Sequence, residues 1–321
     1  MDAKQTINGR RALDARGAWL RIAMRGLRGL SGTGLGGLLS AIALATLLTV
    51  GVSHSVSAEP SFRLGANATL AEIKACATQA LPESAGRIGF RVEAVDRTGQ
   101  MTASRAEIRW QDDDAGHARI VLRVSEPAKT AGTALLIIDR DQDQPEFFLR
   151  LPELTKAKRI RSRRLRGPVL GTDFSFEDLQ RLREPLDKTE LELVGESPVA
   201  GRPAWLLEAL PGGGKGDSEY SRVLTYVDQA SCLPIQIDLF EGEDRLRKRL
   251  RAPIEEIKQV RFGRSDGADA GREMPHVFVM EDLRRGTQTV VRIEAFEAAP
   301  DWPAEQFTKA GLEAPASPDP K

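Results

Sequence analysis

The sequence predicts a mainly β chain, an antiparallel meander of about ten or eleven strands with two helices. Apolar residues alternate with polar ones at a period of two from Ile88 to Ile293. Turn-forming residues, among them Asp228, Gly242 and Gly286, separate these runs, and helical spacing appears at only two places after the N-terminal region. A sheet of that many strands tends to curl, and a curled sheet has a concave face.

The chain has 321 residues, and its first 58 are set apart from the fold by their pattern. Arg10, Arg11, Arg16, Arg21, Arg25 and Arg28 precede an apolar run from about Leu35 to Val52, and Val56-Ser57-Ala58 supplies small residues ahead of a cleavage point. An export signal cleaved after Ala58 is expected, which places the mature protein in the periplasm. The alternative is an uncleaved anchor, because the run from Gly29 to Val52 reaches the ~20 residues needed to span a bilayer. No cysteine lies near the cleavage point, so the chain itself lacks a lipobox.

The whole sequence balances 46 basic against 46 acidic residues. Loss of the leader leaves a net charge near −5, and a domain of that sign is not a general nucleic-acid binder. Cys76 and Cys232 remain after cleavage, in a compartment that oxidises thiols, so a disulfide between them is expected. Two buried thiols are the alternative.

Thr69 to Ala80, with Leu70, Ile73, Ala77 and Ala80 on one stripe, reads as an amphipathic helix stopped before Pro82. Strands follow at Ile88 to Ala94, Ile120 to Val124, Leu135 to Ile138 and Phe147 to Leu151. A dense basic run comes next, with Lys156, Lys158, Arg159, Arg161, Arg163, Arg164 and Arg166 inside eleven residues and a short strand expected near Ile160. Ser175-Phe-Glu-Asp178 matches a capping box for a helix from about Phe176 to Arg183, closed by Pro185. Asp173, just ahead of it, is placed to accept free backbone amides or to pair with the arginines upstream. Further strands are expected around Leu191, Trp205, Val223, Ile235, Val277 and Val290, and residues from Gly311 onward are expected to form a disordered tail. The segment 59–310 is read as one domain.

The ordered set of an aromatic strand, LPEL (151–154), AKRIRSRR (157–164) and GTDFSFEDL (171–179) resembles the outer-membrane lipoprotein-sorting, LolA/LolB-like family of periplasmic proteins, in its stand-alone branch of unknown ligand. Gly171, Asp173, Phe174, Ser175, Glu177, Asp178 and Leu179 match the motif directly, whereas Lys158-Arg159 replaces an arginine pair. The strand pairs at 122–138 and 220–240 extend the resemblance, which covers about Leu70 to Phe307. It implies an incomplete β-barrel, a strongly curved antiparallel sheet whose apolar interior takes acyl chains under covering helices. On that basis Phe90, Val92, Leu122, Phe148, Leu207, Val223, Ile237 and Val279 are candidates for the lining. Lys158, Arg159, Arg161, Arg163 and Arg164 are candidates for contact with an anionic head group or an acidic partner.

No catalytic constellation or cofactor motif is visible. His117 and His276 are far apart, there is no Gly-x-Ser-x-Gly, and Gly212-Gly-Gly-Lys215 lacks the helix that a phosphate loop requires. Asp112-Asp-Asp114 reads as a solvated turn, and the adjacent Glu177 and Asp178 diverge on their helix. The expected function is a monomeric, non-enzymatic carrier of a lipid or acylated lipoprotein. The alternative is an adaptor of an inner-membrane transporter of the resistance-nodulation-division (RND) type, without lipid cargo. A continuous apolar cavity separates the two, since the carrier requires one and the adaptor does not.

Overall fold

Alternating sequences pair edge to edge because each strand hides one row of side chains and leaves its backbone groups to be satisfied by a neighbour. A computed structural model describes residues 64, 67–80, 85–139, 145–160, 167–183, 186, 191–211, 218–260, 271–298 and 302–314. All of these belong to the unit Ala58–Lys321. The expected leader, Arg161, Arg163, Arg164, Arg166 and the Gly212–Lys215 turn lie outside the described residues.

Helix α1 (Leu70–Ala80) comes first. Strands β1 (Ala85–Val95), β2 (Met101–Asp112), β3 (Ala118–Glu126), β4 (Ala134–Ile138), β5 (Glu146–Arg150) and β6 (Lys158–Arg159) then run as a meander. Helix α2 (Phe176–Arg183) precedes β7 (Leu191–Glu196), β8 (Ala204–Ala209), β9 (Arg222–Asp228), β10 (Pro234–Glu241) and β11 (Arg245–Arg251). Strands β12 (Ile257–Val260) and β13 (Arg272–Pro275) form a separate hairpin, and β14 (Val277–Asp282), β15 (Thr287–Ala298) and helix α3 (Lys309–Glu313) complete the described chain. The main sheet has thirteen strands in the order β6-β5-β4-β3-β2-β1-β15-β14-β11-β10-β9-β8-β7. Its two end strands do not pair, so this strongly curved antiparallel sheet is an unclosed barrel. No helix among the described residues is long and apolar enough to cross a membrane.

The sheet has more strands than the alternation predicts. Strand β11 reads RLRKRLR, which looks like a solvated basic run, yet it sits between β10 and β14. Arg247 and Lys248 are buried there against Asp282 and Asp178, so paired charge replaces the expected apolar pattern.

The sheet separates its two faces by chemistry. On the outer face of β1, β2 and β15, Arg87 reaches Glu107 and Glu297, both at 3.1 Å, and Arg105 reaches Glu294 at 3.2 Å. These cross-strand pairs keep the outside polar while neighbouring positions turn inward. Over β3–β5, that outer face is covered by Trp302, Phe307 and Leu312, which pack on Val121, Leu136 and Phe148. The expected tail boundary is corrected here: Gly311 to Glu313 belong to α3, and Leu312 is fully buried because it fills this outer cluster.

At the other end of the sheet, Ile73, Cys76 and Ala77 of α1 pack on Trp205, Leu207 and Val227. The Cys76–Cys232 disulfide fastens the helix there, with Cα atoms 5.7 Å apart across a sequence separation of 156. Replacing both cysteines by serine frees that loop in the unfolded chain. It is expected to lower unfolding free energy by up to about 5 kcal/mol, read as a shifted urea midpoint.

The turn bearing Cys232 is organised by Asp228. Its carboxylate accepts from Arg202 Nε at 2.7 Å and from the Ser231 amide at 2.8 Å. Burial alone would raise the Asp228 pKa, but the hydrogen bonds from Arg202 and Ser231 outweigh it and hold it below the usual carboxylate range. A folded-state pKa below the unfolded value of ~3.9 means that this stabilisation is complete above the unfolded pKa and is lost as pH falls through the folded one. The stability difference between wild type and Asp228→Asn is therefore expected to stay constant from about pH 5 to 7 and to shrink below about pH 4, in urea titrations at each pH.

Candidate apolar binding cavity

Strand register decides which residues share the inner face. Ile88 lies opposite Ile108, and Ile108 opposite Leu122. Phe90 pairs with Ala106 on one side and Ile293 on the other, and Val92 with Val291. The row continues through Phe278, opposite Val291, and through Ile237, opposite Leu250. Side chains directly opposite each other in an antiparallel sheet point the same way, so these residues form one apolar surface across seven neighbouring strands. They enclose a cavity of about 680 Å³, within the range of small-molecule sites.

A cover is built from the segment before α2. Val169 donates its amide to the Phe174 carbonyl at 2.7 Å, and the tight turn between them places Leu170 (φ 50°) and Gly171 (φ 80°) in the left-handed region. Gly171 takes that conformation without steric cost, whereas Leu170 does so under strain and stands 43% exposed beside the cavity. Val169, Phe174 and Leu179 of α2 line the cavity from this side.

Helix α2 is capped as its sequence requires. The Ser175 amide donates to Asp178 Oδ2 at 2.7 Å, and the Asp178 amide donates to Ser175 Oγ at 3.1 Å. Asp178 also accepts from Tyr220 Oη at 2.6 Å and from Lys248 Nζ at 2.7 Å, all three groups being buried. Burial and the adjacent Asp178 carboxylate push the Tyr220 phenol up, so it remains a neutral donor. Glu177 turns away to accept from Arg181 at 2.9 Å and from the Glu219 amide at 3.0 Å. Asp173 accepts from Thr289 Oγ1 at 2.7 Å and from Thr287, both on β15, and among the described residues its cationic partner is Arg285 at 3.7 Å. The arginines at 161–166, with which it was expected to pair, lie outside the described residues.

Of the eight residues proposed for the lining, the structure brings Phe90, Val92, Leu122 and Ile237 to the cavity. The other four lie elsewhere. Leu207 and Val223 share the inner face but are covered, Leu207 by α1 and Val223 in a cluster with Phe174 and Tyr220. Phe148 is on the outer face under α3, and Val279 alternates outward from Phe278 and Met280. Ala106, Ile108, Val124, Leu250 and Phe278 also line the cavity and were not singled out from sequence. Ala106, Ile108 and Leu250 lie on β2 and β11, whose apolar positions are interrupted by charge. Lys158 and Arg159 are exposed on the end strand β6, outside the lining, with Arg159 paired to Glu146 at 3.0 Å.

The lining carries one ionisable side chain among the described residues, Glu273, and Arg202 neutralises it at 3.1 Å. No group of three or more metal-binding side chains occurs among the described residues. What this arrangement can do chemically is remove apolar surface from water.

Known proteins share this architecture. A DUF1329 family protein from Desulfovibrio piger superposes with a TM-score of 0.66 at 20% identity, over 75% of this chain and 96% of that one. A putative outer membrane lipoprotein-sorting protein domain from Vibrio parahaemolyticus gives 0.66 at 19% identity, over 76% and 97%. A LolA superfamily protein from Nitrosomonas europaea gives 0.58 at 18% identity, over 76% and 99%. No curated protein matches by sequence. A family model described as "-like: Uncharacterized protein" matches residues 116–314, more than half of the sequence. The chain therefore belongs to that family, and its fold is the one shared by the LolA-like lipoprotein-sorting domains.

Proposed function

We propose that this protein is a periplasmic, non-enzymatic carrier that encloses the hydrocarbon part of a lipid or of an acylated lipoprotein between the curved sheet and the α2 cover. The observation that carries the reading is the continuous apolar cavity of about 680 Å³. A largely apolar cavity of that volume, within the range of small-molecule sites, has room for at least one long acyl chain. Each methylene moved out of water contributes about 0.8 kcal/mol, so such a chain supplies on the order of 10 kcal/mol or more before the costs of association. Transfer then needs only an acceptor that buries the same chain as well.

The cavity favours the carrier over a cargo-free adaptor, because an adaptor has no use for an unfilled apolar interior. An RND-type transporter enters this reading as the donor or acceptor of cargo. Lys158, Arg159, Arg161, Arg163 and Arg164 are assigned to docking on an acidic partner, where they raise the encounter rate. The carrier is assigned as a monomer in the periplasm, after removal of the leader at Ala58.

Native mass spectrometry of the mature protein, purified without detergent, is expected to show stoichiometric lipid or acylated peptide. Ala106 sits in the middle of the lining, so Ala106→Trp fills the cavity from within. That variant is expected to keep its circular dichroism spectrum and to lose at least about tenfold in affinity for a fluorescent acyl probe. A protein that stays apo after incubation with membrane vesicles overturns the carrier reading.

A further inference from the structure

The lining of the cavity bears on the chemistry of its ligand as well as on its apolarity. Thr102, Ala103, Thr130 and Leu170 are lining residues and are exposed, so the cavity opens between the β1–β2 hairpin, the β3–β4 turn and the Leu170 turn. Polar atoms gather at this end. Ser104 stands one residue beyond the last β2 position paired with β3, and Thr133 closes the β3–β4 turn, where it is 3% exposed. Neither hydroxyl makes a side-chain hydrogen bond among the described residues, whereas Thr130 Oγ1 is already engaged by the Pro127 carbonyl at 3.3 Å.

Charge, by contrast, is nearly absent from the described lining. Glu273, the one ionisable residue in the described lining, belongs to the far end with Met274 and Pro275, where Arg202 holds it. Arg202 is itself spanned by both oxygens of Asp228, at 2.7 and 2.6 Å, and has no vacant fork for a ligand. An anionic group drawn into this cavity would lose its hydration and meet no free cation among the described lining residues. Two hydroxyls can donate to and accept from an uncharged polar group.

The geometry points to a ligand class: a long-chain lipid whose polar end is uncharged and carries hydroxyl or ester oxygens, held at the mouth by Ser104 and Thr133. This assignment rests on the carrier reading and narrows it. Lys129 lies on the same turn, exposed and outside the lining, and offers an anionic head group a cation among the described residues.

The test is displacement of a bound fluorescent acyl probe from the mature protein by three ligands of equal chain length: a monoacylglycerol, a fatty acid and a lysophosphatidate. The monoacylglycerol is expected to displace the probe at a concentration at least about tenfold below that of either anion. Ser104→Val with Thr133→Val is expected to lower the affinity for the monoacylglycerol about tenfold relative to that for the fatty acid measured on the same variant. Lys129→Gln is expected to change none of the three. Tighter binding of lysophosphatidate, its loss in the Lys129→Gln variant, or a monoacylglycerol affinity untouched by the two valines overturns the assignment and leaves the carrier intact. Failure of the probe to bind wild-type protein at all sinks the carrier reading, and this one with it.

Discussion

The cover over the cavity is held by charge at one end of a short helix. Helix α2, FEDLQRLR, packs Phe176 and Leu179 against the sheet but is otherwise polar, so two apolar side chains alone give it little reason to hold one position there. Asp178 supplies that reason. Its carboxylate closes the capping box, accepts from Tyr220 and pairs with Lys248, and all of these partners are buried. Desolvating an ion pair is costly, and the geometry is held only because each oxygen of Asp178 has a donor. Asp173, fixed to β15 through Thr289, does the same for the segment ahead of the helix. Held at these two points, the cover turns Val169, Leu170, Phe174 and Leu179 toward the cavity.

The same division explains why the cavity is not filled by its own walls. The inner face carries small or short residues at central places, Ala106 and Val124 among them, while the bulk sits at either end. Trp205, Leu207 and α1 fill one end, and Phe147 against Phe176, with ring centroids 5.4 Å apart, fills the other. The disulfide and the Asp228 turn hold the first of these plugs in place. Two packed ends and an ionic cover keep open a space that side chains of native core size would close.

Much of this was legible in the sequence, because alternation, capping and turns are local signals. Helices α1 and α2 start and stop where periodicity, the Ser175–Asp178 box and the flanking prolines place them. What was not legible depends on pairing across long separations. Alternation states that Phe278 and Val279 face opposite ways, but only the register to Val291 on β15 says which of them turns inward. Four of the eight proposed lining residues lie off the cavity: Phe148 and Val279 face outward, Leu207 is covered by α1, and Val223 packs with Phe174 and Tyr220. Strand β11 was hidden by its own charges, since nothing near RLRKRLR announces that Asp178 and Asp282 are its partners.

Those hidden charges bear on the site itself. A chain with 46 basic residues encloses a cavity whose described lining has no free cation, and pairing accounts for it. Lys248 and Arg247 are committed to Asp178 and Asp282, Arg249 to Asp238 at 2.7 Å, and Arg202 to Asp228 and Glu273. The pairing of Lys248 removes a charge that shares the inner face with Leu250, whereas Arg249 and Asp238 alternate with the lining residues Leu250 and Ile237 and face outward. Among the exposed basic side chains, Lys158 and Arg159 stand on the end strand away from the lining. Charge in this protein fixes the architecture and serves the outside, and the described lining keeps its apolar surface, a few neutral polar side chains and one carboxylate that is already paired.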